Sequence, residues 1–368
     1  MSATAEHHSV SSRLRTAIAQ AIEGAGGWLP FDRYMSLALY APSLGYYMRD
    51  DRQLGAWPSS SDFVTAPELS PLFAQALAPS LRQALQASGT RTIIEFGAGS
   101  GALAEGLLNE LGSDVGSYRI VELSGALRAR QERRLARFDT RVSWLEQWPP
   151  AGAVDAVVLG NEVLDAMPVQ LLAFDGAQWH ERGVGLDANA AFVWRDRPTT
   201  LRPPHDAPFM AGTVTEIHPQ AEAFVTGVAQ ALGRGAAFFI DYGFPAGEYY
   251  HPQRAGGTLM CHRAHRADAD PLADAGDKDI TAHVNFTGIA LAGQDAGLDV
   301  LGYTSQARFL LNNGIAETMT RADVRERAAA QKLVAEHEMG ELFKVLGFAK
   351  GCTFDAIGFA TGDRSHRL

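Results

Sequence analysis

The chain has 368 residues, of which 46% are hydrophobic and 20% are charged, and its formal net charge is −10. This composition excludes a disordered chain, and the excess of acid argues against a nucleic-acid backbone as the main partner. The two cysteines cannot form a disulfide framework. The length predicts either one large domain with insertions or two domains.

We expect no targeting signal in the first residues. Met1–Val10 is polar and lacks the apolar stretch of a secretion signal. No later run approaches the ~20 apolar residues that a membrane helix needs. We therefore expect a soluble, cytoplasmic protein without membrane insertion. The spacing of Leu14, Ile18 and Ile22 predicts a first helix that ends at Gly24–Gly27.

Short β-branched runs alternate with helical patterns through the middle of the chain. The predicted strands are Arg91–Phe96, Tyr118–Leu123, Val142–Leu145, Ala153–Gly160 and Ala236–Asp241. The predicted helices are Ala102–Leu111, the segment capped by Ser124, and Gln220–Leu232. This alternation predicts an α/β fold with a mostly parallel sheet that is open to ligands at the carboxyl ends of its strands. The late segments Asp299–Tyr303 and Thr353–Ala360 are candidates for an antiparallel edge.

Three regions are predicted along the chain. Residues 1–89 form a helical, cofactor-covering segment, and residues 90–242 form the core, with an insertion of alternating strands at 171–208. Residues 243–368 hold a lid or substrate segment followed by helices and edge strands. The first part of this last region, Gly243–Lys278, shows little helical or strand periodicity. An irregular stretch of that length is often a functional lid.

A glycine-rich turn lies where the first core strand leads into a helix. It contains Gly97, Gly99 and Gly101, and an acid, Glu122, ends the next strand. Glycines at this place permit a tight turn and let a ligand approach the helix N-terminus closely. The glycines, followed by an acid about 20 residues later, also fit the dinucleotide-binding fingerprint.

Glu95 distinguishes the two ligands, because it lies two residues before the first glycine. A carboxylate there would repel a pyrophosphate. S-adenosylmethionine has no phosphate and carries an ammonium and a sulfonium, so it is favoured over a dinucleotide. In either case Glu122 would bind the ribose hydroxyls. The alternative for Glu95 is an ordinary surface carboxylate at a strand end.

Polar residues also follow the fourth core strand, at Asn161, Glu162 and Asp165. Their position predicts that they face the ligand crevice. On one helical turn, Glu162 and Asp165 would share a face, and two carboxylates can orient a guanidinium or an ammonium. For Asp165, capping of the turn before Pro168 is an equal alternative.

These segments resemble known methyltransferases. Ile93–Gly101 with Tyr118–Ser124 resembles motif I and the following acidic strand of class I S-adenosylmethionine-dependent methyltransferases. A more specific set resembles the MidA-type family, which comprises mitochondrial complex I assembly-factor methyltransferases and their bacterial relatives. The set is Leu44–Tyr47, Asp62–Ser70, Asn161–Pro168, Ile240–Gly243, Gly257–Leu259 and Asp279–Val284. Ser61 and Asn285 depart from the usual Gly and Asp, which leaves the substrate side open.

The resemblance implies a Rossmann-like class I methyltransferase sheet with helical N-terminal and inserted substrate-covering segments. It implies S-adenosyl-L-methionine as cofactor and, for mitochondrial members, methylation of an arginine in a complex I subunit. By matching motif, the cofactor-binding residues are Thr65, Pro67, Glu68, Glu95, Gly97, Gly99, Gly101, Glu122 and Asn161. The predicted catalytic residues are Glu162 and Asp165, and Asp241 and His283 are weaker candidates as proton acceptors.

The leading functional hypothesis is a protein arginine N-methyltransferase. The alternatives are a small-molecule O- or N-methyltransferase, a non-catalytic assembly or binding protein that retains the fold, and a nicotinamide-dependent oxidoreductase. We predict no metal site, because the spacing of Cys261, His262 and His265 matches no four-ligand pattern. The methyl acceptor and the oligomeric state stay open.

Overall fold

The computed structural model describes residues 3–49, 65–263 and 266–368, and the side chains of all of these except residues 3–9 and 266. Part of one predicted motif, Asp62 to Val64, lies outside the described residues, as do Ser61 and His265. None of the described helices is long and apolar enough to cross a membrane.

Helices and strands alternate along most of the described chain. The helices are α1 (Ala3–Gly24), α2 (Phe31–Tyr40), α3 (Ala66–Leu69), α4 (Leu72–Ser88), α5 (Ala102–Leu111), α6 (Gly125–Leu135), α7 (Pro219–Ala231), α8 (Ala246–Tyr249), α9 (Phe286–Asp295), α10 (Gln306–Asn312), α11 (Ile315–Arg321) and α12 (Val324–Val334). The strands are β1 (Leu29–Pro30), β2 (Thr92–Phe96), β3 (Ser117–Val121), β4 (Val142–Trp144), β5 (Val154–Asn161), β6 (Gln170–Phe174), β7 (Trp179–Leu186), β8 (Phe192–Pro198), β9 (Val214–Ile217), β10 (Leu232–Phe244), β11 (Met260–Arg263), β12 (Arg266–Asp268), β13 (Asp279–Thr281), β14 (Val284–Asn285), β15 (Asp299–Ser305) and β16 (Phe343–Lys350).

The chain divides into two compact units, each built from three separate segments. The first unit contains the described parts of residues 1–63, Asp165–Ala221 and Ala246–Asn285. The second unit contains the described parts of residues 64–164, Glu222–Pro245 and Phe286–Leu368. The division into 1–89, 90–242 and 243–368 stays a prediction.

The second unit is built on a mixed sheet whose strand order is β15-β16-β10-β5-β2-β3-β4. From β10 to β4 every neighbouring pair is parallel, whereas β16 is antiparallel to both β10 and β15. The chain leaves β2 toward β3 and β4 and returns to β5 on the other side of β2. The carboxyl ends of β2 and β5 therefore flank a topological switch point, where ligands bind in such sheets.

This sheet confirms the predicted α/β fold, with one correction at its edge. Asp299–Ser305 is a strand, as predicted, but Thr353–Ala360 is not, because it is irregular apart from a short 3-10 helix at Ile357–Phe359. The antiparallel strand is Phe343–Lys350 instead. All its residues up to Ala349 are buried, including Lys344, so the strand shows no alternation of buried and exposed positions by which to recognise it.

Apolar side chains cover both faces of the central strands. In β5, all residues except Asp155 are buried, as expected for a parallel strand with helices on both sides. The helix α4 contributes Phe73, Leu77 and Leu81 to the same core. This packing gives the strand ends at the switch point a rigid base.

The first unit carries two smaller sheets. One has the order β1-β7-β6-β9, with β8 paired to β7, and the other has the order β12-β11-β13. The alternation predicted at 171–208 thus corresponds to antiparallel strands. The stretch Gly243–Lys278 is less irregular than expected, since its described part contains α8, β11 and β12. The core of this unit includes Ile18, Phe31 and Tyr34 from its two long helices.

Candidate functional site

The glycine turn follows β2 at the switch point. Gly97, Gly99 and Gly101 have φ angles of 61°, 53° and 82°. Side chains rarely adopt such angles, so the turn requires glycine. Among the residues that the structure describes, no atom lies within 4 Å of where a Cβ at Gly99 would be. The turn therefore leaves open space above its backbone and leads directly into α5.

Glu95 is the next-to-last residue of β2 and is only 2% exposed. The alternative of a surface carboxylate is therefore wrong. The hydroxyl of Tyr118, on β3, donates to Oε2 of Glu95 at 2.7 Å. Burial raises the pKa of Glu95 to about 7, although the bond from Tyr118 opposes this shift. Such a carboxyl group gains from a cationic ligand.

Glu122 follows β3 directly, and both of its oxygens are bonded. The backbone N–H of Ser124 donates to Oε1 and the side-chain amide of Gln131 donates to Oε2, each at 2.9 Å. Burial raises the pKa of Glu122, and these two hydrogen bonds counteract the shift. The next residue, Leu123, is 69% exposed and adds apolar surface beside the carboxylate.

Glu68 is tied to the glycine turn through Ser100. The hydroxyl of Ser100 donates to Oε1 of Glu68 and accepts a bond from Arg134 at 2.7 Å. Arg134 also lies 3.7 Å from Glu68 and donates to Glu105 at 2.7 Å. Burial raises the pKa of Glu68. The N-cap residue Thr65 and Pro67 precede it in α3, so all three predicted residues of this motif lie in the second unit.

Asn161 and Glu162 end β5 on the other side of the switch point. Glu162 has a positive φ of 54°, and its backbone N–H donates to the carbonyl of Ile240 at 2.9 Å. Its Oε1 accepts a bond from the amide of Asn161 at 3.0 Å. Asn161 is 9% exposed, and within the described part of the chain its buried Oδ1 has no hydrogen-bond donor.

Asp241 supports this backbone from β10. Its Oδ2 accepts the backbone N–H groups of Val163 and Leu164 at 3.1 and 2.9 Å, and its Oδ1 accepts that of Tyr242 at 2.9 Å. Asp241 is 1% exposed. It thus holds the turn that presents Glu162, a positioning role that the sequence pattern did not indicate.

Asp165 does not share a helical turn with Glu162, contrary to the premise of the prediction. Residues 162–168 contain no helix, because Glu162 is left-handed and Asp241 binds the next two N–H groups. Asp165 belongs to the first unit and is 5% exposed. There its carbonyl accepts the backbone N–H of Ala282 at 3.0 Å.

The motif residues of the first unit bind one another. The buried carboxylate of Glu216 accepts the backbone N–H groups of Thr258 and Leu259 at 2.8 and 3.1 Å and the hydroxyl of Tyr249 at 2.8 Å. A Cβ at Gly257 would lie 2.4 Å from Glu216, which explains the glycine. The hydroxyl of Thr258 in turn accepts the backbone N–H of His283 at 3.1 Å.

A second link joins two more of these motifs, because the hydroxyl of Tyr47 donates to Asp279 at 2.7 Å. The first unit also contains a cavity of about 740 Å³ that includes none of the predicted site residues. It is lined by Ile22, Glu23, Gly26, Gly27, Trp28, Leu186, Arg195, Asp196 and Arg197. Cys261 is buried in β11, and in the described ranges no group of three or more potential ligands is arranged for a metal ion.

The arrangement in the second unit fits a ligand that is cationic and hydroxylated. The open glycine turn, the buried Glu95 and the bonded Glu122 lie at the carboxyl ends of two adjacent strands. Asn161 adds a buried acceptor that has no donor among the described residues. S-adenosylmethionine offers an ammonium, a sulfonium and two ribose hydroxyls to such groups. A pyrophosphate would instead meet carboxylates.

This protein has the strand order, the glycine turn and the acidic residue after the next strand, Glu122, that together define a class I S-adenosylmethionine-dependent methyltransferase. A family model described as "Putative S-adenosyl-L-methionine-dependent methyltransferase" matches residues 72–304. The chain belongs to this family, and the predicted MidA-type membership, the fold and the cofactor are confirmed.

Solved structures and curated relatives agree with this assignment. A crystal structure of a protein from Burkholderia thailandensis bound to S-adenosyl-homocysteine is 50% identical, covers 98% of this chain and 97% of its own, and has a TM-score of 0.91. The mitochondrial protein arginine methyltransferase NDUFAF7 homolog of Caenorhabditis elegans is 25% identical, with 83% of this chain and 78% of that protein covered. The protein arginine methyltransferase NDUFAF7 of Danio rerio is 26% identical, with 87% and 83% covered.

Proposed function

We propose that this methyltransferase acts on arginine side chains of a protein. Two curated relatives that each cover more than three quarters of this chain are named protein arginine methyltransferases. The observation that carries the proposal is Glu162, a carboxylate held in a left-handed conformation at the switch point. A carboxylate there suits a guanidinium, which binds carboxylates through two parallel hydrogen bonds.

The cofactor-side residues have separate roles in this proposal. Glu95 binds the ammonium, Glu122 binds the ribose hydroxyls, and the open backbone at Gly99 lets the cofactor lie close to the turn. Asn161 would accept a hydrogen bond from the bound cofactor through its buried Oδ1, which has no donor within the described residues. Thr65, Pro67 and Glu68 border the same turn, since Glu68 is bonded to Ser100.

Bound there, S-adenosylmethionine supplies an activated methyl group on a sulfonium. Glu162 would orient the guanidinium so that one nitrogen lies in line with that methyl, which is mainly positional catalysis. Arginine is too basic to lose its proton beforehand, so the proton leaves as the new bond forms. Glu162 or a water molecule beside it would accept that proton. Asp165 is a second carboxylate that we propose as a proton acceptor.

The test is incubation of the purified protein with cell lysate and S-adenosylmethionine labelled on the methyl group. We expect label in protein, and methylated arginine after hydrolysis of the labelled band. Glu162→Gln should abolish the label while S-adenosylhomocysteine still binds. Label in small molecules alone would favour a small-molecule O- or N-methyltransferase. Binding without any label would favour a non-catalytic assembly protein.

A further inference from the structure

One buried amide joins the two halves of the cofactor site. Gln131 lies on α6 and is fully buried. Its side-chain nitrogen donates to the carbonyl of Gly99 in the glycine turn and to Oε2 of Glu122 after β3, both at 2.9 Å. The two N–H groups of one amide therefore bridge two strand ends that are separated along the chain.

The orientation of this amide is determined by a third contact. The indole Nε1–H of Trp144, at the end of β4, donates to Oε1 of Gln131 at 2.8 Å. A flipped amide would place its NH₂ group against this donor and its oxygen against two acceptors. Both N–H groups and the oxygen of Gln131 are thus hydrogen-bonded, as expected for a buried amide, and only this orientation satisfies all three contacts.

The N-cap and a later turn of helix α6 both donate hydrogen bonds to Glu122. Ser124 caps the helix and donates its backbone N–H to Oε1 of Glu122. Gln131 follows seven residues later, which is two helical turns and the same side of the helix. The side chains of Gln131, Arg134 and Leu135 also lie 3.6 Å from where a Cβ of Gly101 would be. The same helix face therefore packs on the turn and binds the carboxylate.

We propose that Gln131 is a positioning residue that fixes Glu122 relative to the glycine turn and thereby sets the affinity for S-adenosylmethionine. The amide donor also opposes the rise that burial causes in the pKa of Glu122, which favours the carboxylate as an acceptor for the ribose hydroxyls. The inference rests on the cofactor and on the ribose role proposed for Glu122. It does not depend on the methyl acceptor, so a failed arginine assay leaves it intact.

The first test is the affinity for S-adenosylhomocysteine, measured by titration calorimetry on the full chain. Gln131→Met removes the two N–H donors that bind the carboxylate of Glu122 and the carbonyl of Gly99. The affinity should therefore fall about 10- to 100-fold. Trp144→Phe only frees the amide to rotate, so its loss should be smaller. Gln306→Met is the matched control, because Gln306 is equally buried in the same unit and its amide binds the carbonyl of Leu333 at 2.9 Å.

The second test uses pH to separate positioning from general damage. The charged groups near the amide and its partners are Glu122 itself, Glu95 on β2, which interacts electrostatically with Glu122, and two arginines. Arg134 binds Glu105 and Glu68, and the guanidinium of Arg128 lies over the ring of Trp144. Gln131→Glu keeps the shape but places a second carboxylate against Glu122. At low pH one proton can be shared between them and restore a donor. Relative to wild type, this variant should therefore bind worse as the pH rises from roughly 6 to 8.5.

The outcomes are decisive in both directions. Loss of affinity in Gln131→Met but not in Gln306→Met, together with the pH-dependent loss in Gln131→Glu, supports the proposal. Binding by Gln131→Met within about threefold of wild type overturns it, as does equal loss in the control. If Gln131→Met does not fold, the isosteric Gln131→Glu decides, and a loss that is constant with pH refutes the positioning role.

Discussion

The ends of β2 and β5 lie at the same edge of the sheet, and the turn after each strand requires a positive φ angle. The two turns meet this requirement with different residues. After β2, the positive φ angles fall on glycines, for which they cost little. After β5, a positive φ of 54° falls on Glu162. For such a residue this conformation costs about 1 kcal/mol or more.

The difference shows what each turn provides. The turn after β2 provides space, because a Cβ at Gly99 would meet no atom of the described part of the chain within 4 Å. The turn after β5 provides a carboxylate, and the strain is offset by the hydrogen bonds that the next two backbone N–H groups donate to Asp241. A glycine at 162 would fit the backbone better but would carry no charge.

The largest expected effect therefore comes from Glu162→Gly. Loss of the carboxylate should reduce methyl transfer to protein by at least about 100-fold. Relief of the backbone strain should raise the free energy of unfolding by about 0.5–1 kcal/mol. Label incorporation and urea unfolding measure the two effects. Glu162→Gln is the control, which loses transfer without the gain in stability. A less stable Glu162→Gly protein would contradict the strain argument.

Gly99→Val tests the other turn. It fills the open space and forces a β-branched residue to a φ of 53°, so the affinity for S-adenosylhomocysteine should fall about 10- to 100-fold. Gly89→Val is a matched control in the same unit. Gly89 has a φ of 69°, and here too a Cβ would have no atom of the described residues within 4 Å. Both variants should lose similar stability, and only the first should lose affinity. Equal affinities would mean that the space above Gly99 is not the cofactor site.

Asp241→Asn asks whether the support of Glu162 matters for transfer. The new NH₂ group would face backbone N–H donors, so the rate of label incorporation should fall about tenfold. Binding of S-adenosylhomocysteine should change by less than about threefold, since the glycine turn is untouched. Asp363→Asn is the control, because Asp363 also accepts backbone N–H groups, from Tyr303 and Ser365, in the same unit. Its rate should equal that of wild type.

The last prediction concerns the stability of the ligand-free protein and depends on Glu95, just before the glycine turn. Its pKa is raised from 4.5 to about 7 in the folded state. The folded chain thus binds more protons than the unfolded chain between these values, and stability falls as the pH rises through them. Glu95→Gln should be more stable than wild type at pH 8 by about 1–3 kcal/mol, with no difference below pH ~4.5.

Urea unfolding of the ligand-free protein at several pH values measures this difference. Glu132→Gln is the control, because Glu132 is an exposed residue of α6 paired with Arg128. Its stability should stay within about 0.5 kcal/mol of wild type at each pH. A Glu95→Gln protein that is less stable at pH 8 would show that the bond from Tyr118 outweighs burial.

Local patterns predicted the core of this fold well. β2, β3 and β5 are short β-branched runs, and three glycines at a strand end are rarely accidental. Glu95 could be recognised as a cofactor discriminator because its position relative to Gly97 is fixed by the strand itself. These features depend on neighbours in sequence.

Features that depend on distant partners were missed. Gln131 looks like any polar residue of a helix until Gly99 and Trp144 are brought to it. Helical spacing suggested that Glu162 and Asp165 share a face. The two intervening backbone N–H groups instead donate to Asp241 on β10, so no helical turn forms. The strand β16 was missed because it is buried on both faces and shows no alternation.

The place of β16 within the sheet has a consequence for synthesis on the ribosome. Residues 343–350 are bonded to β10 on one side and to β15 on the other. Until they emerge, β10 presents an unpaired apolar edge, and such edges promote intermolecular pairing. We expect nascent chains stalled before residue 343 to bind a holdase chaperone, and release to coincide with the emergence of this strand.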